Sequence, residues 1–311
     1  MRFVSIGDLI TDFYYKNNKF LGVCGGNTSH NIIANLAVKN IKTLVLGVCG
    51  NDKSGNIAIK SLEELNVDVS KVKILDSIRT RCLHVSYFDT ESGVTFESKR
   101  RCPFCGEKLW YMESSIDPDY VLKNITKEDI LVFDNLNSKN QEIIDKTKNI
   151  KVIDIGQYFE FEKIDDETLI NKIKNKFEYI NFNERVSIYL LDRFKLKSNV
   201  DIFNLFKPKF MTITKGEEGA LFFYNDKEYS FKLLNKADVT VDPTGAGDAF
   251  VSSILYNLYK CEFKYDPKLF ENWYSDSCEL TKIVVSKMGA RGHIYSLYPF
   301  DVSKNKCSCD F

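Results

Sequence analysis

Short apolar runs alternate with stretches whose apolar residues recur every three to four positions. Residues 2–6, 41–48, 130–134, 151–155, 177–182 and 210–214 read as strands, and residues 31–39 and 54–65 as helices. Strands separated by helix-length segments make βαβ units, so the pattern predicts an α/β fold with a mostly parallel sheet. In such sheets ligands bind beyond the carboxyl ends of the strands. Asp8, Asp134, Asp154, Asn183 and Thr214 fall at or near such ends. Two stretches break the alternation. Residues 13–24 are short and aromatic, and residues 79–97 are β-rich with a Glu-Ser-Gly turn. They predict a small lid of added strands, spanning about 13–24 and 79–112. With no internal repeat, linker or composition shift, residues 1–311 read as a single domain.

Composition narrows the function classes. Hydrophobic residues make up 44% of the 311, enough for a sizeable core. Lys+Arg and Asp+Glu are both 43. That balance argues against a nucleic-acid footprint or a polybasic membrane anchor. The start of the chain lacks a signal-peptide pattern, and no apolar run approaches the roughly 20 residues that span a bilayer. A cytoplasmic protein with no nucleic-acid or membrane partner is the expectation. Nine cysteines in such a chain read as free thiols or metal ligands.

The most informative segment is residues 241–250, V-D-P-T-G-A-G-D-A-F. It follows a strand-like run, 236–241, and opens a helical pattern, 249–259. Gly245 and Gly247 permit tight turns and leave backbone N–H groups unobstructed. Placed at a helix N-terminus, they form an anion cradle suited to phosphate. Asp248 sits inside it, badly placed to bind phosphate but well placed to take a proton from a hydroxyl attacking a phosphoryl group. The competing reading is a Gly-rich turn with an Asp helix cap.

The full string closely resembles the C-terminal signature of the ribokinase-like (PfkB) carbohydrate kinase family, D-T-x-G-A-G-D, with Pro243 in place of Thr. Other segments match the family in order. Gly7-Asp8-Leu-Ile-Thr-Asp12 resembles its opening strand, and Gly25-Gly26-Asn27-Thr28-Ser29-His30-Asn31 its G-G-x-x-x-N signature. Gly47-Val-Cys-Gly50-Asn-Asp52-Lys-Ser-Gly55, Thr214-Lys-Gly216-Glu-Glu-Gly219 and the pair Gly289-Ala290 complete the series. The resemblance implies a three-layer α/β/α domain with a β-lid, which transfers the γ-phosphoryl group of ATP to a hydroxyl of a small sugar-like acceptor. A nucleoside kinase on the same scaffold is the alternative, and a non-catalytic sugar- or nucleotide-binding regulator a more distant one. By the resemblance Asp248 would be the catalytic base, and the backbone of Gly245, Ala246 and Gly247 would hold transition-state charge. Asp12, Gly26, Asn27 and Asn31 would bind the acceptor. Thr214 and Gly216 would contact the nucleotide, Asp242 would help hold K⁺, and Mg²⁺ would accompany ATP. A homodimer through the lid is also implied.

Three features depart from the family pattern. Its N-x-x-E motif falls on Asn181-Phe-Asn183-Glu184-Arg185-Val186 in either of two registers. The reading here takes Asn183 and Glu184 as the functional pair, which puts Val186 where the second Glu belongs. The helix before Gly289 contains the bulky run Cys278-Glu-Leu-Thr-Lys-Ile, so the adenine pocket is expected to be lined differently. Finally, Cys102-Pro-Phe-Cys105-Gly106 forms a knuckle of the kind that binds zinc, and Cys307 and Cys309 could return to close a Cys₄ site with structural Zn²⁺. Four free thiols are the alternative. Cys24, Cys49, Cys82 and Cys261 read as small core hydrophobes. His30 could touch the acceptor or face the pocket rim, His84 and His293 read as structural, and Trp110-Tyr111 as lid packing.

Overall fold

Neighbouring residues of each central strand belong to opposite apolar clusters. Phe3, Val45, Val132, Val152 and Phe210 pack into one. Val4, Leu44, Leu131, Ile153 and Met211 pack into the other. A strand buried on both faces needs this continuous apolar character, and a sheet made of such strands must be covered on both sides. The structure, a computed structural model, describes residues 1–297 apart from 18, 91, 92, 110–115, 160, 235, 236 and 238.

The chain opens with β1 (Phe3–Asp8), β2 (Ile10–Lys16) and β3 (Lys19–Gly25), then α1 (Thr28–Ala37), β4 (Thr43–Gly50), α2 (Lys53–Glu63) and β5 (Lys73–Leu75). The antiparallel pair β6 (Arg81–Thr90) and β7 (Gly93–Lys99) follows. Alternation resumes with α3 (Pro118–Asn124), β8 (Ile130–Phe133), α4 (Ser138–Lys146), β9 (Ile150–Ile155) and α5 (Asp166–Ile173). It continues through β10 (Tyr179–Asn183), α6 (Glu184–Phe194), α7 (Asn199–Phe206) and β11 (Phe210–Thr214). Strands β12 (Ala220–Tyr224) and β13 (Lys227–Phe231) precede α8 (Ala246–Lys260) and α9 (Phe270–Val285).

The larger sheet has the order β13-β12-β11-β10-β9-β8-β1-β4-β5. It is parallel except where β12 pairs with β11 and β13 with β12. Helices α1, α2, α8 and α9 contribute to one apolar cluster, and α3 to α7 to the other. This is the ribokinase-like α/β architecture expected. The smaller sheet, β3-β2-β6-β7, is the lid. Its own core gathers Phe13, Tyr15, Val23, Cys82, Cys102 and Leu109.

Capping explains the helix starts that the apolar pattern misplaced. Asn27 Oδ1 accepts from Ser29 N at 2.9 Å, so α1 begins three residues before the expected point. Asp52 Oδ1 accepts from Gly55 N at 2.7 Å and starts α2. One expected strand is absent: residues 237 and 239–241 are not in a strand, and 236 and 238 lie outside the described residues. Val241 N and Asp242 N both donate to Val285 O, which ties the segment to the end of α9 instead of to a sheet edge. No helix among the described residues is long and apolar enough to cross a membrane.

Phe222 on β12 is fully buried, with rings of Phe231 and Phe210 at 4.9 and 5.5 Å. Phe222→Ala is expected to lower the unfolding free energy by about 3–5 kcal/mol, read by urea denaturation.

Candidate active site

The turn into α8 depends on a glycine. Gly245 has φ +84°, and a Cβ there would stand 2.7 Å from Ala290 Cα. Asp248 follows in the first turn of α8 and is buried. Asn31, one turn into α1, donates from Nδ2 to Asp248 Oδ2 at 2.6 Å. Its Oδ1 accepts from Arg291 Nε at 2.8 Å. Arg291 also donates to Ser61 Oγ at 2.8 Å and to Gly26 O at 2.9 Å. Burial pushes the Asp248 carboxyl up to about 6, against the lowering effects of the Asn31 bond, the Arg291 charge and Thr28.

Asp12 lies on β2 and is buried. Tyr14 donates its hydroxyl to Asp12 Oδ2 at 3.3 Å, whereas Asp12 Oδ1 has no hydrogen-bond partner among the described residues. Burial pushes this carboxyl up to about 7; Arg291 and Tyr14 oppose the rise, and Asp248 and Asp242 add to it. Gly26 permits the close approach, since a Cβ there would come within 2.3 Å of Asp12 Oδ2. Asn27 does not reach into this space, because it caps α1 and donates to Asp8 O at 3.3 Å. Of the three expected cradle amides, Ala246 N is directed at Pro243 O at 3.3 Å.

Asp134 and Asp154, at the ends of β8 and β9, carry carboxyls pushed up to about 6 and about 7, chiefly by burial and in part by the charge of Asp248. A cavity of about 330 Å³ opens beside Asp8, Val48 and residues 77–81. Arg81 Nη2 lies 3.0 Å from Asp8 Oδ2 at its edge, and its charge also reaches Asp134.

On the other side, Asn183 ends β10 and caps α6, accepting from Val186 N at 3.0 Å and donating to Gly156 O at 2.7 Å. Glu184 Oε1 is 3.5 Å from Lys215 Nζ. Asn181 is buried within the sheet, donating to Asp154 Oδ1 and accepting from Thr212 Oγ1, both at 2.7 Å. Val186 is buried in the core. Asn183 and Glu184 thus stand at the end of β10 and the start of α6, while Asn181 and Val186 face the interior. Thr214 ends β11, and Gly216, with φ +56°, starts the 3₁₀ turn Gly216–Glu218.

Asp242 is fully buried and engaged by protein donors. Its Oδ2 accepts from the Tyr87 hydroxyl and from Gly289 N, both at 2.6 Å, and its Oδ1 from Thr244 N at 2.7 Å. A carboxylate so occupied ties the lid strand β6 to the cradle loop, and this donor set does not fit an open cation ligand. His30 is likewise turned inward: Nδ1 lies 2.5 Å from Ser5 Oγ, and burial lowers its pKa to about 3. Cys102 is buried in the lid core while Cys105 is exposed. No group of three or more His, Cys, Asp or Glu placed to hold a metal ion occurs among the described residues. Cys307, Cys309, Trp110 and Tyr111 lie outside them. Cys24, Cys49 and Cys82 are buried as expected, and Cys261 is half-buried at the end of α8.

Sequence reasoning missed Arg291, Tyr87, Ser61 and Thr28. Arg291 directly follows the Gly289-Ala290 pair, yet nothing in the pattern marks it as buried.

Residues 200–296 match the profile of the pfkB family carbohydrate kinases. A cytidine kinase of Thermococcus kodakarensis is 28% identical over 115 residues, covering 37% of this chain and 41% of the relative. The bifunctional protein HldE of Sulfurimonas denitrificans is 26% identical over 346 aligned positions, covering 99% of this chain and 66% of the relative. The chain thus spans under half of one relative and about two thirds of the other. The crystal structure of Methanocaldococcus jannaschii nucleoside kinase, a member of the ribokinase family, superposes with a TM-score of 0.70 at 17% identity over 94% of each chain, a likeness of fold. The chain has a ribokinase-like fold, and its residues 200–296 are similar to the pfkB family carbohydrate kinases.

Proposed function

We propose that the protein transfers the γ-phosphoryl group of ATP to a hydroxyl of a small sugar-like acceptor, with Asp248 as the base. One observation carries this reading: a buried carboxylate in the first turn of a helix, behind a glycine turn, with Asn31 donating to it. The partner-free oxygen of Asp12 supplies an acceptor for a substrate hydroxyl. The cavity beside Asp8 is of a size that suits a small molecule.

The step follows from these positions. Asp248 takes the proton of the acceptor hydroxyl, whose oxygen attacks the γ-phosphorus. A new O–P bond forms as the bond from γ-phosphorus to the bridging oxygen breaks, and ADP leaves. Backbone N–H groups of Gly245 and Gly247, with the N-terminus of α8, stabilise the charge that develops. Thr214 and Gly216 line the nucleotide side, with Asn183 and Glu184 at the adjoining strand end. Mg²⁺, bound through ATP phosphate oxygens with Glu184 near, would neutralise charge on the transferring group. No cation step is assigned to Asp242. A nucleoside acceptor is the second reading, favoured by the cytidine kinase relative.

The test is ATP consumption and product mass with pentoses, ketohexoses, sugar phosphates and nucleosides. A product one phosphate heavier from a single acceptor class supports the reading and names the substrate. Asp248→Asn is expected to lower kcat by about 10²–10⁴-fold while nucleotide binding persists; wild-type activity in that variant sinks the assignment. The base must be ionised, so kcat should fall as pH drops through about 6. Gly26→Ala pushes on Asp12 and should raise the acceptor KM while leaving the ATP KM within about twofold.

A further inference from the structure

We propose that Arg291 is a positioning residue for the base, fixing which end of the Asn31 side-chain amide meets Asp248. The two ends of an Asn amide are nearly the same shape, so packing alone does not choose between them; hydrogen bonding does. A guanidinium can only donate, and it stays protonated. Its Nε, 2.8 Å from Asn31 Oδ1, therefore requires the oxygen on its own side. That leaves the NH₂ group for Asp248, at 2.6 Å. Were the amide reversed, two acceptor oxygens would meet at that separation. The contact would then hold only if Asp248 carried a proton, and a protonated carboxyl cannot take another from the acceptor.

The arrangement is built for this task. Arg291 is buried, and its bonds to Ser61 Oγ and Gly26 O, from α2 and from the segment before α1, hold the guanidinium plane still. Asn31 and Thr28 from α1, which are neutral, lower the Asp248 carboxyl, and its charge in turn raises the carboxyls of Asp12 on β2, Asp134 beyond β8 and Asp154 at the end of β9. Arg291 is the cation that acts on Asp248. It thus both orients the donor and offsets the surrounding negative charge. A residue that merely filled space would do neither.

The inference rests on Asp248 being the base, and the experiment separates the two. The variants are Arg291→Met, Arg291→Lys, Asn31→Ala, Asn31→Ala with Arg291→Met, and Asp248→Asn. Each is assayed for kcat, both KM values and the pH dependence of kcat, with circular dichroism for folding. Arg291→Met is expected to lose about 10²-fold in kcat, keep the ATP KM within about twofold and move the acid limb to higher pH. In the Asn31→Ala background the same substitution should cost little more, because the two act as one unit. A full additional loss there, or an unmoved acid limb, overturns the proposal. If the Met variant does not fold, Arg291→Lys decides. It keeps the charge but offers one donor nitrogen where the guanidinium places three, on Asn31, Ser61 and Gly26, so a kcat loss beside an unchanged ATP KM supports the positioning role, and wild-type kcat shows that charge alone suffices and overturns it. An active Asp248→Asn would sink the base assignment itself. An inactive Asp248→Asn beside an unaffected Arg291→Met would sink only the role of Arg291.

Discussion

A parallel sheet covered on both faces disfavours charge along its length, and the rest of this structure follows from that constraint. Strands β1, β4 and β8 to β11 alternate apolar residues into two closed clusters. Polar groups collect where the strands end, and the chain must then neutralise or use them. Asp8, Asp134, Asp154 and Asn183 lie at such ends. Asp8 and Asp154 at these ends are buried, as are Asp12 on β2 and Asp248 at the start of α8.

Removal from water sets their chemistry. Asp12, Asp134, Asp154 and Asp248 all hold their protons more tightly than exposed carboxylates, with burial the first cause in each case. Several buried acids so close together would repel, and Arg291 is the compensating charge beneath Asp12 and Asp248. Its own burial costs free energy, recovered through donors matched to acceptors on three segments. Carboxylates perturbed by burial beside specific charge partners are candidates for a functional site.

Much of this was legible in the sequence. The strand runs 130–134, 151–155 and 210–214 lie within a residue or two of β8, β9 and β11, because fully buried strands are apolar without interruption. The turn into α8 was legible too, since Gly245 and Gly247 have few other reasons to stand so close. The helix starts were less so, because Asn27 and Asp52 act through side-chain caps that apolar periodicity does not see. Residues 236–241 looked strand-like by composition, but Val241 N and the following Asp242 N donate to Val285 O at the end of α9 instead. Arg291 and Tyr87 were illegible for a different reason. Their partners lie 260 and 155 positions away, at Asn31 and Asp242, and no local pattern encodes such a pairing.

The hydroxyl of Tyr87 also makes the two sheets mechanically dependent. Tyr87 belongs to the small sheet and Asp242 to the loop ahead of α8, and both are buried. Swinging the small sheet outward would strip a charged acceptor of one of its donors and expose the stacked pair Tyr14 and Tyr87, whose ring centroids are 6.2 Å apart. A hydrogen bond to a charged group is worth about 1.5–3 kcal/mol. The open arrangement therefore starts with a handicap of that order.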